Sequence, residues 1–357
     1  MTFSRLPEQR AIDKPVITIE LTNICNLHCR YCLRDEDALY HTKAHYLPLE
    51  LLRRIIREAR QTYHLKRVDF TGGEVTLHPQ FGEIIEAVGA ENLQAAFVTN
   101  GWHFERVYPA LLAHRTALDV VAFSLDGATA EAHDCWRGKN SFKRVISAVT
   151  RCYMHNIPFI FKTVLRRDTA TQVEQIALLA ARLGAAGVTF AHFLPTSFAA
   201  ANESALSLDE QKVIEHEITV LAGIFKMKIG LAAGFYDIDP APHCAALRGT
   251  SCNVDYRGRL TLCCNLSGYR GSGEAEADVA ADLTREEFGS AYRRLRGIAE
   301  GQVARRTAAL AALSEKGERP DLSTGSPCLF CLHSFGKILW RSREVTEKTS
   351  TRALPVL

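Results

Sequence analysis

The feature that most restricts the fold is an alternation of two periodicities between residues 16 and 194. Short β-branched and aromatic runs are each followed by a stretch with helical spacing of its apolar residues. Such a rhythm is the signature of a parallel sheet whose strands are joined by helices. It predicts strands at Val16–Leu21, Arg67–Thr71, Ala95–Thr99, Asp119–Ser124, Phe159–Leu165 and Val188–Leu194, with helices near 49–62, 80–89, 104–113, 141–154 and 171–183. Six βα units are fewer than the eight of a closed barrel, so the expected fold is α/β, a partial (β/α)6 TIM-like barrel. A helix near 208–223 and a short strand near 226–232 complete this first domain, 1–235.

Beyond Ala233 the rhythm stops. Residues 252–263 read as a β-hairpin turning at Arg257-Gly258, residues 284–316 as helix, and Gly317–Pro327 as a polar connection to the last cysteine pair. These elements predict a small C-terminal α+β domain at 236–342 and a tail at 343–357.

With 47% hydrophobic residues the chain can bury a real core, and 43 basic against 40 acidic residues give no electrostatic footprint for nucleic acid. Met1–Lys14 has no basic-then-apolar signal pattern, and no run of about 18 apolar residues is present. A cytoplasmic protein, without membrane or nucleic-acid partners, is expected.

Nine of the eleven cysteines fall in three groups: Cys25, Cys29 and Cys32; Cys244, Cys252, Cys263 and Cys264; Cys328 and Cys331. In a reducing compartment such grouping favours metal over disulfide. The first group follows the first strand, where the loops of a barrel build its active site. The turns Gly72-Gly73-Glu74, Asn100-Gly101 and Ser124-Leu125-Asp126 follow the next three strands, so four polar turns share one rim. Three thiolates on a cubane leave one iron open, and an amine with a carboxylate can chelate that iron.

The Cys25-x3-Cys29-x2-Cys32 spacing, with Tyr31 before the last cysteine and Gly72-Gly73-Glu74 after the second strand, resembles the radical S-adenosylmethionine (SAM) superfamily. The resemblance spans about residues 14–235. It implies that Cys25, Cys29 and Cys32 bind a 4Fe-4S cluster whose fourth iron takes the amine and carboxylate of SAM. It further implies that Tyr31 packs near the adenine, that Gly72, Gly73 and Glu74 meet the methionyl amine, and that Ser124 and Asp126 contact ribose or carboxylate. Asn100 ends the third strand, where it either reaches the cofactor or satisfies its own turn. Lys162 and His192 are lone polar residues inside apolar strands, which fits a lumen holding cofactor or substrate or, for His192, a satisfied structural histidine.

The C-terminal cysteines resemble the auxiliary-cluster extension called SPASM, or its shorter form, twitch. The resemblance implies one auxiliary 4Fe-4S cluster, held by Cys244 or Cys252 together with Cys263, Cys328 and Cys331, the role of Cys264 remaining open. A structural zinc site is the competing reading of these thiols. The activity implied is reductive cleavage of SAM to a 5'-deoxyadenosyl radical that abstracts hydrogen from a small-molecule or peptide substrate, with an electron donor such as flavodoxin or ferredoxin. About fifteen residues precede the first strand, too few for a peptide-binding domain, which favours a small substrate. The rivals are group transfer from SAM without hydrogen abstraction, and a metal-stabilised binding or electron-transfer protein. No proton-transfer residue stands out.

Overall fold

The computed structural model describes residues 15–34, 43–196, 203–232, 234–239, 244–269 and 276–338. The sequence readings on Met1–Lys14 and the tail 343–357 lie outside these residues. Seven strands, β1 (Val16–Glu20), β2 (Arg67–Thr71), β3 (Gln94–Thr99), β4 (Leu118–Ser124), β5 (Phe159–Leu165), β6 (Gly187–His192) and β7 (Lys228–Leu231), lie side by side in chain order. Every neighbouring pair among them is parallel. The fold is the expected partial barrel, with β7 as a seventh parallel strand.

The barrel's helices are α1 (Leu49–Tyr63), α2 (Phe81–Ala90), α3 (Phe104–Ala113), α4 (Ala130–Arg137), α5 (Ser141–Met154), α6 (Arg167–Ala170), α7 (Val173–Arg182) and α8 (Leu208–Ile224). In α1, Leu52, Ile55, Ile56, Ala59 and Tyr63 form one buried stripe, while Arg53, Arg57 and Arg60 stay outside. Ser207 and Glu210 form a capping box at the start of α8. The helix α4 was not expected; Thr129 caps it by accepting from the Ala132 backbone N–H at 3.3 Å.

Alternation along each strand divides the sheet into two faces. In β5, Phe159, Phe161, Thr163 and Leu165 are buried on the helix side, whereas Ile160, Lys162 and Val164 are more open. Phe70, Phe97, Phe123, Phe161 and Phe190 carry the same core from strand to strand. The other face is concave. The thiol of Cys264 feels both Glu20, at the end of β1, and Lys162 of β5, although three strands separate β1 from β5. Only a curled sheet brings these groups together across a lumen.

The hairpin turning at Arg257-Gly258 is present as β8 (Ser251–Val254) and β9 (Arg259–Thr261). Asp255 Oδ1 accepts from the backbone N–H groups of Arg257 and Arg259, each at 2.9 Å, and Gly258 has φ +85°. The hairpin joins the barrel sheet directly, because β8 pairs in parallel with β1, and β10 (Val279–Asp282) adds antiparallel to β9. The short α9 (Cys264–Ser267) follows the hairpin. Then come α10 (Phe288–Glu315), α11 (Leu322–Gly325) and α12 (Pro327–Ser334). Cys328 and Cys331 therefore lie on a helix, with Ser326 as its cap and Pro327 in its first turn. Among the described residues, no helix is long and apolar enough to cross a membrane.

Candidate functional site

The first three cysteines occupy the loop that leaves β1, and the turn after β2 holds this loop down. Gly73 N–H donates to Thr22 O and Glu74 N–H to Ile24 O, both at 2.8 Å. A Cβ on Gly73 would lie 1.8 Å from Ile24 O, and one on Gly72, at φ +136°, would lie 2.5 Å from Thr22 O. The glycines are thus required by the close approach of the cysteine loop itself.

Glu74 ends the turn beside the cysteine loop, and its carboxylate is anchored within the protein. Its buried carboxylate accepts from Thr76 N–H at 3.2 Å, Thr76 Oγ1 at 2.6 Å, Thr99 Oγ1 at 2.7 Å and Asn100 N–H at 2.8 Å. These bonds tie the ends of β2 and β3 together and fix the carboxylate in place, three of them on Oε1 and one on Oε2. Asn100 satisfies its own turn and also reaches the cysteine loop. Its Oδ1 accepts from Trp102 N–H at 2.9 Å, while its Nδ2 donates to Asn26 Oδ1 at 3.0 Å and lies 3.8 Å from Cys25 Sγ.

Tyr31 is buried and donates to Asp126, which also takes the Arg137 guanidinium. The other Asp126 oxygen accepts from Val164 N–H at 3.0 Å. Burial opposes the charge of Asp126, yet Arg137 and Arg166 hold its carboxyl down to about 2. The Arg166 guanidinium lies 4.7 Å from the Tyr31 ring centre and 4.2 Å from that of Trp136. Asp126 and Tyr31 therefore build the wall behind the cysteines. Arg137 reaches 4.0 Å from Cys29 Sγ, and Arg34, just after Cys32, pairs with Glu20 at 2.5 Å and donates to Gly72 O at 3.2 Å. The sequence reading assigned no role to Arg34, Arg137 or Arg166; Trp136-Arg137-Gly138 was the local signal for one of them.

The three thiols act electrostatically on one another, and burial raises Cys29 to about 11. Glu74 and Asp126, the acidic groups that act on Cys25 and Cys29 respectively, are both committed elsewhere. This donor set fits a cluster bound through three protein sulfurs with one corner left for a small molecule. Within the lumen, Lys162 stands in register with Ser124 on one side and Thr189 on the other. His192 lies near the far edge, where its ring faces Phe235 and its Nε2 is 3.0 Å from Gln211 Nε2.

Cys244, Cys263, Cys328 and Cys331 line a single pocket, together with Leu262, Asn265 and Leu332 among others. Asn265 N–H is 3.4 Å from Cys263 Sγ, and the N–H groups of Ala246 and Leu247 point to the Cys244 sulfur. Burial raises the Cys331 thiol to about 12, so a cationic centre is what would favour its thiolate. Of the two alternatives left open for the first ligand, Cys244 is in the pocket. Cys252 is not: it sits on the opposite face of β8, buried beside Tyr63 and Tyr292. Its strand pairs Cys252 with Ile17, which points to the same helix-side core. Cys264 is not among the lining residues, but its thiol hydrogen-bonds with that of Cys263 and also feels Glu20, Lys162 and Arg34. Among the described residues, no three His, Cys, Asp or Glu side chains gather closely enough to enclose one metal ion. A multi-iron cluster spaces its sulfurs more widely than a zinc ion with Zn–S bonds of about 2.3 Å.

Residues 19–180 match the family model of the Radical SAM superfamily. The chain is similar to the mycofactocin maturase MftC of Mycobacterium tuberculosis, 34% identical over 192 residues that cover 51% of this chain and 46% of that protein. To MftC of Mycolicibacterium smegmatis it is 35% identical over 194 residues, with 51% and 46% covered. The match thus spans about half the length of these relatives. Among solved structures, Streptococcus suis SuiB bound to precursor peptide SuiA superposes with a TM-score of 0.65 at 12% identity, covering 81% of this chain and 67% of that one. Native anSMEcpe with bound AdoMet gives 0.62 at 14%, covering 81% and 84%. These two share the fold.

Proposed function

We propose that this chain is a radical SAM enzyme that modifies a peptide, with one auxiliary iron-sulfur centre. The observation that carries the reading is the three-cysteine loop pinned on Gly72-Gly73, with Glu74 and Asp126 beside it each held by other groups of the protein. A 4Fe-4S cluster held there supplies, when bound, the electron that splits SAM reductively into methionine and a 5'-deoxyadenosyl radical able to take hydrogen from a substrate C–H bond.

The protein's part is position and exclusion of water. The Gly72–Glu74 turn lets SAM approach the cysteine loop at backbone level, and Asn100 fixes the flank of that loop beside Cys25. The row Ser124, Lys162 and Thr189 offers polar contacts along the lumen wall. Tyr31, Trp136 and Arg166 close the back of the site as one stacked group. Cys244, Cys263, Cys328 and Cys331 would hold the auxiliary cluster across the lumen.

A peptide substrate is supported by two neighbours of the same fold, SuiB bound to its precursor peptide and anSMEcpe with a bound Cp18Cys peptide. The similarity to proteins named maturases points the same way. A cytoplasmic location and a flavodoxin- or ferredoxin-type donor complete the reading, in keeping with eleven free cysteines. Anaerobic, reduced protein should convert SAM to 5'-deoxyadenosine and methionine, and Cys29→Ala should abolish this. Cleavage that persists in the variant would refute the assignment.

A further inference from the structure

We infer that Gln302 and Asn265 set the reduction potential of the second cysteine centre by donating side-chain hydrogen bonds to its sulfurs; the inference rests on reading that centre as an iron-sulfur cluster. Helix α10 buries Phe288, Ala291, Leu295, Ala299, Gln302 and Arg306 along one stripe. A fully buried glutamine on such a stripe is costly unless hydrogen-bonded. Its Nε2 lies 3.4 Å from Cys331 Sγ and 2.5 Å from Ser334 Oγ, both on α12, while its Oε1 accepts no hydrogen bond among the described residues. Packing alone would be served by leucine or methionine. What the glutamine adds is its donors.

Asn265 repeats the arrangement on the other wall, with Nδ2 3.9 Å from Cys328 Sγ. With the backbone N–H groups of Asn265 at Cys263 and of Ala246 and Leu247 at Cys244, every sulfur of the set meets a donor. One turn beyond Gln302, the Arg306 guanidinium donates to the carbonyls of Asp237, Asp239 and Gly325. Reduction adds negative charge to the cluster and its sulfurs, and N–H donors stabilise that charge more than they stabilise the oxidised form. The amides therefore raise the potential, which suits a centre that accepts an electron.

The test is a redox titration of the anaerobic, fully loaded enzyme, followed by electron paramagnetic resonance, with iron counted per chain. Gln302→Leu and Asn265→Ala are compared with the wild type and with each other's double variant. Iron should be retained. Each single variant should lower the reduced-to-oxidised ratio of the second centre about tenfold at fixed potential, which is 59 mV for a one-electron couple, and the double variant should sum the two. The first centre's midpoint should not move. An unmoved second midpoint with full iron overturns the inference, and so does loss of iron, which would make the amides structural supports. Wild-type protein with only about four irons would instead overturn the second centre itself. If Gln302→Leu does not fold, Asn265→Ala carries the test alone.

Discussion

Gly73→Ala probes the contact on which the first site depends. Its Cβ would lie 1.8 Å from Ile24 O, 2.3 Å from Ile24 C and 3.0 Å from the Cys25 backbone nitrogen. An ordinary carbon–oxygen contact is about 3.3 Å, so the cysteine loop and the glycine turn must separate by about 1.5 Å. Such a separation breaks the bonds from Gly73 N–H to Thr22 O and from Glu74 N–H to Ile24 O. At about 1 kcal/mol each, with about 1–3 kcal/mol for overpacking, the local cost is about 3–5 kcal/mol. A displacement of about 1 Å near reacting groups can also cost about a hundredfold in rate. Reconstituted variant protein should lose about four irons per chain, keep the second centre's signal, and form 5'-deoxyadenosine at least about a hundredfold more slowly. The second centre is then the internal control for folding. Full iron and cleavage within about threefold of wild type would refute the reasoning, because the loop would not need the close approach.

Two further perturbations separate positioning from ligation. Cys252→Ala should leave iron content unchanged and cost about 1–2 kcal/mol of stability as a core truncation, whereas Cys331→Ala should remove about four irons per chain; equal iron loss in both would return Cys252 to the ligand set. His133, buried behind Asp126 with its Nδ1 3.1 Å from the Asp126 backbone N–H, is lowered to about 4 by burial and by Arg137. The unfolded chain takes up a proton there below about pH 6.5, the folded chain not until about 4, so this contribution is complete above 6.5 and about 3 kcal/mol is lost as pH falls toward 4. His133→Gln should flatten the decline of thermal stability between about pH 7 and 5, and an unchanged decline would contradict the assignment.

The barrel was legible because its strands combine β-branched runs with a single inward polar residue, as Lys162 shows between Ile160 and Val164. The cysteine loop and glycine turn were legible because each is continuous in sequence. What escaped was set by pairing between distant segments. Period two groups Cys252 with Val254, but which face they share is decided by the parallel pairing of β8 with β1, residues more than two hundred positions apart. The fate of the Glu74 carboxylate depends on Thr99 and Asn100 from another strand. Gln302 did leave a trace, as a polar residue on the apolar stripe of α10. Ser326-Pro327 marked the helix start that places Cys328 and Cys331.

Direct detection of SAM on the first centre decides the central claim. The protein carrying Cys328→Ala and Cys331→Ala, left with one cluster, should be reduced and examined by pulsed electron-nuclear double resonance with SAM labelled by nitrogen-15 at its amine. A resolved nitrogen coupling to the cluster, lost on omission of SAM, is the predicted result. A spectrum identical with and without SAM, from a cluster of full iron content, would mean that no corner is open and would contradict the account.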